Sequence, residues 1–103
     1  ADIAMSSGDW IWEVDAKEPA VQAIGRAYKF VMGRSIPYDG TGGGDFFILN
    51  NYGGIPCLGM GISRRWGEPE GPHMPNESIY IDKHLLPFVK ILAVSIMDWC
   101  GCV

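Results

Sequence analysis

A histidine between two prolines is the residue of this sequence best suited to metal chemistry. His73 lies in the run Gly71-Pro72-His73-Met74-Pro75-Asn76-Glu77, at the end of a long predicted loop, 62–77. A neutral imidazole is a good zinc ligand, and the carboxylate of Glu77 can contact a bound water, orient the site or anchor the loop. The prolines restrict the backbone on both sides of the imidazole. One histidine is not a metal site, and an ordinary surface histidine is the simpler interpretation of this run alone.

A glycine-rich loop is the second candidate. It reads Thr41-Gly42-Gly43-Gly44-Asp45 and lies between a predicted strand and a predicted helix. Glycines let the backbone approach a ligand closely, and the N-terminus of the following helix offers N–H donors. No Gly-Lys-Ser/Thr follows, so the loop is not a Walker loop, and Asp45 at the helix start would repel a phosphate. Nucleotide binding is therefore disfavoured, and a tight turn capped by Asp45 is the alternative.

Three segments have the periodicity or the end signals of helices. Apolar residues at three- and four-residue steps predict a helix that starts near Pro19 and stops at Gly33. A short helix is predicted at 46–52. The last predicted helix is capped by Asp82 and runs to Trp99, with an apolar stripe along one face.

Two segments between these helices have the character of strands, 35–38 and the continuously apolar 55–61. Alternating helices and strands predict an α/β fold with a mostly parallel central sheet, which is normally covered on both faces. Two strands make a poor sheet, so we expect further strands from another part of the parent chain or from another subunit. Ligands bind at the edge of such a sheet where the strands end, so we expect Asp45 and His73 to face one site.

Composition and charge exclude several classes of function. The 103 residues are 48% hydrophobic, enough for one small domain, and the net charge of −4 is spread without a basic stripe. Nucleic acid is therefore disfavoured as a partner, and no apolar run of about 18 residues predicts a membrane helix. Three cysteines without a paired framework favour a reducing compartment, so we expect a cytoplasmic protein. The start of the chain has neither a signal peptide nor an initiator methionine, so we expect a processed or internal piece of a longer product.

The motifs occur in the order found in a known family. The segments are Gly42-Gly43-Gly44-Asp45, Gly54-Ile55-Pro56, Leu58-Gly59-Met60-Gly61 and His73-Met74-Pro75-Asn76-Glu77, followed by a long final helix. Together they resemble the end of the aminoacylase, glutamate carboxypeptidase and acetylornithine deacetylase family of dinuclear zinc hydrolases. The resemblance covers roughly residues 9–101. The family's usual loop reads Gly-Gly-Thr/Ser-Asp, so Gly44 replaces a hydroxyl residue and no hydroxyl contact to a substrate is expected there.

The resemblance implies a hydrolase that uses two zinc ions, with cobalt or manganese as substitutes, to activate a water against an amide bond. Its expected substrates are N-acyl amino acids or short peptides. By the same resemblance, His73 binds one of the metal ions. The substrate pocket is lined by Gly43, Gly44 and Asp45, and the site is supported by Asn76 and Glu77.

Most of that family's active site has no counterpart in this sequence. The family's His-x-Asp pair and Glu-Glu pair, which supply further ligands and the general base, are absent. The whole chain, 1–103, therefore resembles the C-terminal half of the catalytic domain, after the family's inserted lid or dimerisation domain. We expect the N-terminal half of a three-layer zinc-exopeptidase-like domain as its partner, and a homodimeric parent is compatible with that domain organisation.

Two other interpretations remain open. The chain can be a stand-alone interaction domain that has lost catalysis, in which case the free chain should be monomeric and cooperatively folded. It can also be a small independent enzyme that uses Asp45, His73 and Glu77, although no nucleophile is visibly paired with a base. His84, the other histidine, is expected at the surface or packed at a helix end.

Overall fold

Residues 13–37 and 45–101 are described by the structure, which is a computed structural model. The chain forms two compact units. The first comprises Ala1–Gln22 with Pro37–Gly59, and the second comprises Ala23–Ile36 with Met60–Val103. The whole candidate metal-binding run belongs to the second unit, whereas Asp45 belongs to the first.

The first helix, α1, spans Pro19–Met32 and confirms the predicted helix. Proline suits its first position because the missing N–H has no helical partner there. The buried residues of α1 are Val21, Ala23 and Ala27. Ala23 and Ala27 lie one turn apart on the same face of the helix, whereas Val21 lies on a different side. Gly33 follows at φ +73°, the left-handed conformation in which a glycine commonly ends a helix.

The second predicted helix is present as a wide helical turn. Residues 46 and 47 are helical, and Ile48–Tyr52 form a π-helical turn. Gly53 closes this turn by donating its N–H to the Ile48 carbonyl at 3.1 Å. A side chain has no room at Gly53, because a Cβ there would lie 2.7 Å from the carbonyl oxygen of Leu49. The prediction for 46–52 is therefore confirmed in position, with π-helical instead of α-helical geometry from Ile48 onward.

The predicted α/β fold with a parallel sheet is wrong for the part of the chain that the structure describes. These residues form helices, turns and irregular segments, with no strand and no sheet. Residues 35–37 and 55–61, which were expected in strands, are irregular, and Tyr38 lies outside the described residues. A strand needs a second backbone with which to pair, and neither segment has one here.

The backbone of the second supposed strand is bound locally. Ile55 donates its N–H to the Leu49 carbonyl at 3.0 Å, and Cys57 donates its N–H to the side-chain oxygen of Asn50 at 3.1 Å. Both acceptors belong to the preceding π-helical turn. The continuous apolar character of 55–61 therefore reflects a segment that lies against its own neighbour in the chain, and not a buried strand.

The final helix, α2, spans Leu86–Cys100 and follows a π-helical turn at Ile81–Leu85. The predicted cap at Asp82 is wrong, because Asp82 lies inside the π-helical turn and Tyr80 precedes that turn in an extended conformation. His84 reaches back instead, and its Nδ1 accepts the N–H of Tyr80 at 3.2 Å, much as a capping-box side chain does. The expected packing of His84 at a helix end is confirmed.

Few apolar side chains of the described residues are buried. Five are buried, whereas seventeen large apolar side chains are exposed. Those exposed on α2 include Val89, Leu92, Ile96, Met97 and Trp99. A helix that is apolar over most of its surface is normally enclosed by other elements, so α2 presents more apolar surface than the described residues cover. Within the same residues, none of the helices has both the length and the apolar character needed to cross a membrane.

Candidate metal-binding loop

Residues 65–77 form a continuous series of tight turns, called here the turn segment. Each turn is closed by a backbone hydrogen bond between residues three apart, and each begins where the previous one ends. The bonds have lengths of 3.0–3.2 Å, and their donors are the N–H groups of Glu68, Gly71, Met74 and Glu77. The loop predicted at 62–77 is therefore ordered by its own backbone hydrogen bonds.

Two of these turns share one design, and both belong to the candidate motif. In each, a proline occupies the second position and a residue with positive φ the third. The pairs are Pro72 with His73 at +63°, and Pro75 with Asn76 at +60°. This is the pattern of a type II turn, in which proline suits the second residue and glycine or asparagine the third. The turn explains Asn76, because asparagine tolerates the left-handed conformation better than most residues.

His73 has a backbone conformation that is unfavourable for a residue with a side chain. The left-handed region costs a residue with a side chain roughly 1–2 kcal/mol, although histidine occurs there more often than most residues. A preceding turn of the same segment uses glycine for this purpose, with Gly67 at φ +89°. Backbone strain of this kind persists where the surroundings over-determine it, and it clusters at functional sites.

The imidazole of His73 lies at the surface beside one aromatic ring. Its centroid is 5.0 Å from that of Trp66, with the planes tilted by 60°, which is a favourable arrangement for two aromatic rings. The backbone N–H of His73 donates to Oε2 of Glu77 across a long 3.4 Å. Neither ring nitrogen of His73 is hydrogen-bonded to a residue that the structure describes. Glu77 thus holds the loop backbone, and the ring nitrogens remain available to a ligand.

Three side chains join the two ends of the loop that carries His73. Ser78 donates its N–H to the Glu70 carbonyl at 3.0 Å and its hydroxyl to Oε2 of Glu70 at 3.1 Å. Arg64 binds both residues: its guanidinium lies 2.9 Å from Oε2 of Glu70, and its Nε donates to the Ser78 carbonyl at 3.2 Å. Arg64, Glu70 and Ser78 are called the loop clamp from here on.

The loop clamp also reaches the start of the last helical segment. The guanidinium carbon of Arg64 lies 4.2 Å from the ring centroid of Tyr80, and Nζ of Lys83 lies 5.0 Å from the same centroid. Cations at these distances are attracted by the face of an aromatic ring. The Arg64 side chain is only 16% exposed, so its charge is held between Glu70, Ser78 and Tyr80 and not in open solvent.

His73 suits a metal ion as one ligand, and the described residues do not complete a site around it. Within residues 13–37 and 45–101, no three His, Cys, Asp or Glu side chains are grouped so that they could hold a metal ion. Catalytic zinc sites use three protein ligands, and structural sites use four. The other ligands of a site at His73 would therefore have to come from groups outside the described residues.

The structure places the remaining predicted site residues in different parts of the chain or does not describe them. Asn76 and Glu77 lie with His73 in the turn segment. Asp45 is exposed in the first unit, where its carbonyl accepts the N–H of Ile48 at 3.3 Å. Gly43 and Gly44 lie outside the described residues. The expected meeting of Asp45 and His73 at a sheet edge loses its basis, because the described residues contain no sheet.

A hollow of about 160 Å³ in the first unit is lined by three acids, Glu13, Asp15 and Glu18. The groups around it are used to hold the chain. Oδ1 of Asp15 accepts the N–H of Lys17 at 2.9 Å, and the side-chain amide of Asn50 donates to the Glu13 carbonyl at 3.1 Å. The first bond organises the turn before α1 and the second joins the segment before that turn to Asn50, so polar groups around the hollow are already used to hold the chain.

Reasoning from sequence missed the loop clamp and Trp66. Arg64, Glu70 and Ser78 follow no helical or strand period, so no pattern predicts that they meet. The only signal in the sequence was an arginine, a glutamate and a serine around a loop rich in glycine and proline. That composition does not specify which side chains pair.

Comparison of the sequence with protein-family models and with curated proteins, and of the structure with solved structures, finds no match. The family resemblance therefore rests on the order and spacing of the sequence motifs.

Proposed function

We propose that the chain is one part of a metal-dependent hydrolase that cleaves the amide bonds of N-acyl amino acids or short peptides. His73 is one ligand of its two-zinc site. One observation carries the proposal beyond the motif order: His73 keeps a left-handed backbone at φ +63°, and its ring nitrogens bind none of the described residues. Strained residues cluster at functional sites, and a neutral imidazole with an available ring nitrogen is a common metal ligand.

In the proposed site, the residues of this chain bind one metal ion and fix the loop that carries its ligand. His73 binds a metal ion through a ring nitrogen. Glu77 accepts the His73 N–H and so fixes the turn, while Asn76 supplies the left-handed residue of the next turn. Zinc, when bound, lowers the pKa of a coordinated water toward about 7 and polarises the substrate carbonyl. Cobalt or manganese serves in the same position.

The proposal requires a partner, because by the family resemblance this chain supplies one ligand and not the general base. We assign that role to the N-terminal half of the catalytic domain, on the same parent chain or on a second one. The apolar surface of α2, with Val89, Leu92 and Ile96 exposed, supports this, since such patches on proteins mark interaction sites. Gly43, Gly44 and Asp45 line the substrate pocket of that assembly by family resemblance. The cysteine content favours a cytoplasmic location.

Metal content of the assembled protein tests the ligand assignment. We expect about two metal ions per copy, as in two-metal hydrolases. His73→Ala should lose one of them, together with the hydrolysis of N-acetylated amino acids, because the remaining ligands cannot hold that ion tightly. His84→Ala is the matched control. Nδ1 of His84 is already bound to the Tyr80 N–H, so this variant should keep both ions.

The alternative is a non-catalytic interaction domain, which the exposed apolar side chains of α2 also favour. It predicts no bound metal and no effect of His73→Ala on partner binding. It also predicts that Ile96→Asp, on the exposed surface of α2, abolishes partner binding. Full metal content in the His73→Ala variant would contradict the ligand assignment, whereas absence of bound metal from the unchanged assembled protein would favour this alternative.

A further inference from the structure

We propose that His84 makes the start of the last helical segment sensitive to pH. Its neutral imidazole caps the π-helical turn at Ile81–Leu85, and protonation of the ring removes that cap. The hydrogen bond from the N–H of Tyr80 to Nδ1 of His84 is called the imidazole cap from here on. The proposal does not depend on metal binding at His73.

Tyr80 is joined to the π-helical turn through both of its backbone polar groups. Its carbonyl accepts the N–H of His84 at 3.1 Å and that of Leu85 at 3.2 Å, and its N–H forms the imidazole cap at 3.2 Å. Tyr80 and His84 therefore exchange two hydrogen bonds, as the two residues of a capping box do. The imidazole is half-buried, and it is the acceptor that satisfies the first N–H of the segment.

Only the uncharged form of the His84 ring can make this contact. A neutral imidazole with its proton on Nε2 has an acceptor at Nδ1, whereas an imidazolium has two donors and no acceptor. Protonation therefore sets an N–H of His84 against the N–H of Tyr80 and turns a hydrogen bond into repulsion between two donors. Histidine is the side chain whose charge ordinarily changes between about pH 5 and 8, so this contact can respond to mild acid.

The cations around the cap oppose a charged imidazole. A positive charge is unfavourable at the N-terminus of a helix. The ring of Tyr80, whose centroid is 5.7 Å from that of His84, would by itself attract a cation. Arg64 and Lys83 already lie 4.2 and 5.0 Å from the same centroid, so a third cation there would meet their repulsion.

The nearby acids do not offset this repulsion. Asp82 lies two residues before His84, and residues two apart do not face each other on a helix. Glu70 is occupied by Arg64, with a nitrogen–oxygen distance of 2.9 Å. The element packed on the turn is α2, whose first charged residue is Lys90, another cation. Among the described residues, the imidazole therefore has no acidic partner that would hold its proton.

The expected size of the effect follows from the loss of one hydrogen bond. Such a bond changes a folding equilibrium about 2- to 10-fold. In acid, the N–H of Tyr80 loses its acceptor and the π-helical turn loses one of the contacts that fix its first residue. The start of the last helical segment should therefore open more readily in mild acid, while the rest of α2 keeps its internal backbone bonds.

An NMR titration of the full chain tests the proposal directly. The backbone amide of Tyr80 and the imidazole of His84 are followed from about pH 8 to about pH 5. We expect the Tyr80 amide proton to move upfield as its hydrogen bond is lost, with the same midpoint as the His84 ring. In His84→Asn, the side-chain oxygen can accept the N–H but cannot be protonated, so this movement should disappear.

The other histidine provides the matched control. His73→Asn removes the other imidazole of the chain and suits the left-handed backbone at that position. His73 makes no contact with Tyr80 or His84 among the described residues, so the Tyr80 amide should titrate in this variant as it does in the unchanged protein.

Urea unfolding at the two pH values gives a second readout. Between about pH 8 and about pH 5, the folding equilibrium constant of the unchanged protein should fall about 2- to 10-fold further than that of His84→Asn. His84→Ala lacks the cap at both pH values. It should therefore be less stable than the unchanged protein at about pH 8, and its dependence on pH should match that of His84→Asn.

The unchanged protein alone can overturn the proposal, whether or not the variants fold. A Tyr80 amide that stays in place while the His84 ring titrates would show that the cap does not respond to protonation. Equal dependence of stability on pH in the unchanged protein and in His84→Asn would also overturn it, as would a Tyr80 titration that disappears in His73→Asn. Joint titration of Tyr80 and His84, lost in His84→Asn alone, is the result we expect.

Discussion

The turn segment and α2 belong to the same unit and are stabilised in opposite ways. The turn segment has no regular secondary structure, but its backbone is closed by successive hydrogen bonds at 3.0–3.2 Å. Gly71 and Pro72 within it are buried. The helix is regular over Leu86–Cys100, yet only Ile91 and Ser95 on it are buried. An irregular segment can therefore have its backbone hydrogen bonds closed, whereas a regular helix can leave most of its apolar side chains exposed.

The difference follows from where each element finds its partners. The turn segment satisfies its polar backbone groups locally, and the loop clamp adds ion-pair and hydroxyl contacts from residues close in sequence. A helix satisfies its backbone internally, but its stability in a protein comes mostly from packing of its apolar side chains. Those of α2 meet few described residues. Substitutions in the two elements should therefore have different kinds of effect.

The largest expected effect is on the buried face of α2. Ile91 is 5% exposed, so Ile91→Ala should lower the free energy of unfolding by about 2 kcal/mol, the low end for such cavities because sparse surroundings can collapse. Ile96 is 59% exposed on the same helix, and Ile96→Ala should change stability by less than about 0.5 kcal/mol. Urea unfolding of the full chain measures both. Equal losses for the two variants would mean that the outer surface of α2 is also covered in solution.

The second effect tests whether the turn segment is as tightly held as its backbone hydrogen bonds indicate. A Cβ on Gly71 would lie 2.6 Å from the carbonyl oxygen of Arg65 and 3.1 Å from that of Glu68. Gly71→Ala should therefore destabilise the full chain by about 1–3 kcal/mol, as overpacking does. A Cβ on Gly61 would meet no atom of the described residues within 4 Å, so Gly61→Ala is the control. If Gly71→Ala were as mild as Gly61→Ala, the segment would be loosely held.

The smallest effect concerns backbone strain at His73. His73→Gly should raise the free energy of unfolding by roughly 0.5–1 kcal/mol, because relief of the left-handed strain exceeds the entropy lost by glycine. If His73 is a metal ligand as proposed, the same change should also remove the ion bound there. Asn76→Gly, at the equivalent place in the next turn, should change stability less. Destabilisation by His73→Gly would show that the contact between His73 and Trp66 contributes more than the strain costs.

Local signals in the sequence were sufficient for the helices. Pro19, Gly33 and the apolar spacing between them define α1, since start signal, stop signal and periodicity agree. The position of the short helix before Gly53 follows from similar start and stop signals. The cap of the last helix was misassigned because an aspartate near a helix start is a common cap, whereas His84 acts from inside the turn.

The sheet could not be judged from sequence in the same way. An apolar run such as 55–61 is compatible with a buried strand, but pairing depends on a second backbone that the run does not specify. In the candidate site, the motif identified His73, Asn76 and Glu77 as one loop. It did not identify Arg64 or Trp66, because side-chain pairing across a loop leaves no period in the sequence.

The contact between Trp66 and His73 has a practical consequence. The indole is 70% exposed, and its ring lies 5.0 Å from the imidazole. Any event that reorients or charges the imidazole must therefore alter the surroundings of the indole as well. The loop carries its own optical reporter: in a variant whose other three tryptophans have been replaced by phenylalanine, the emission of Trp66 can follow the state of His73 without an attached dye.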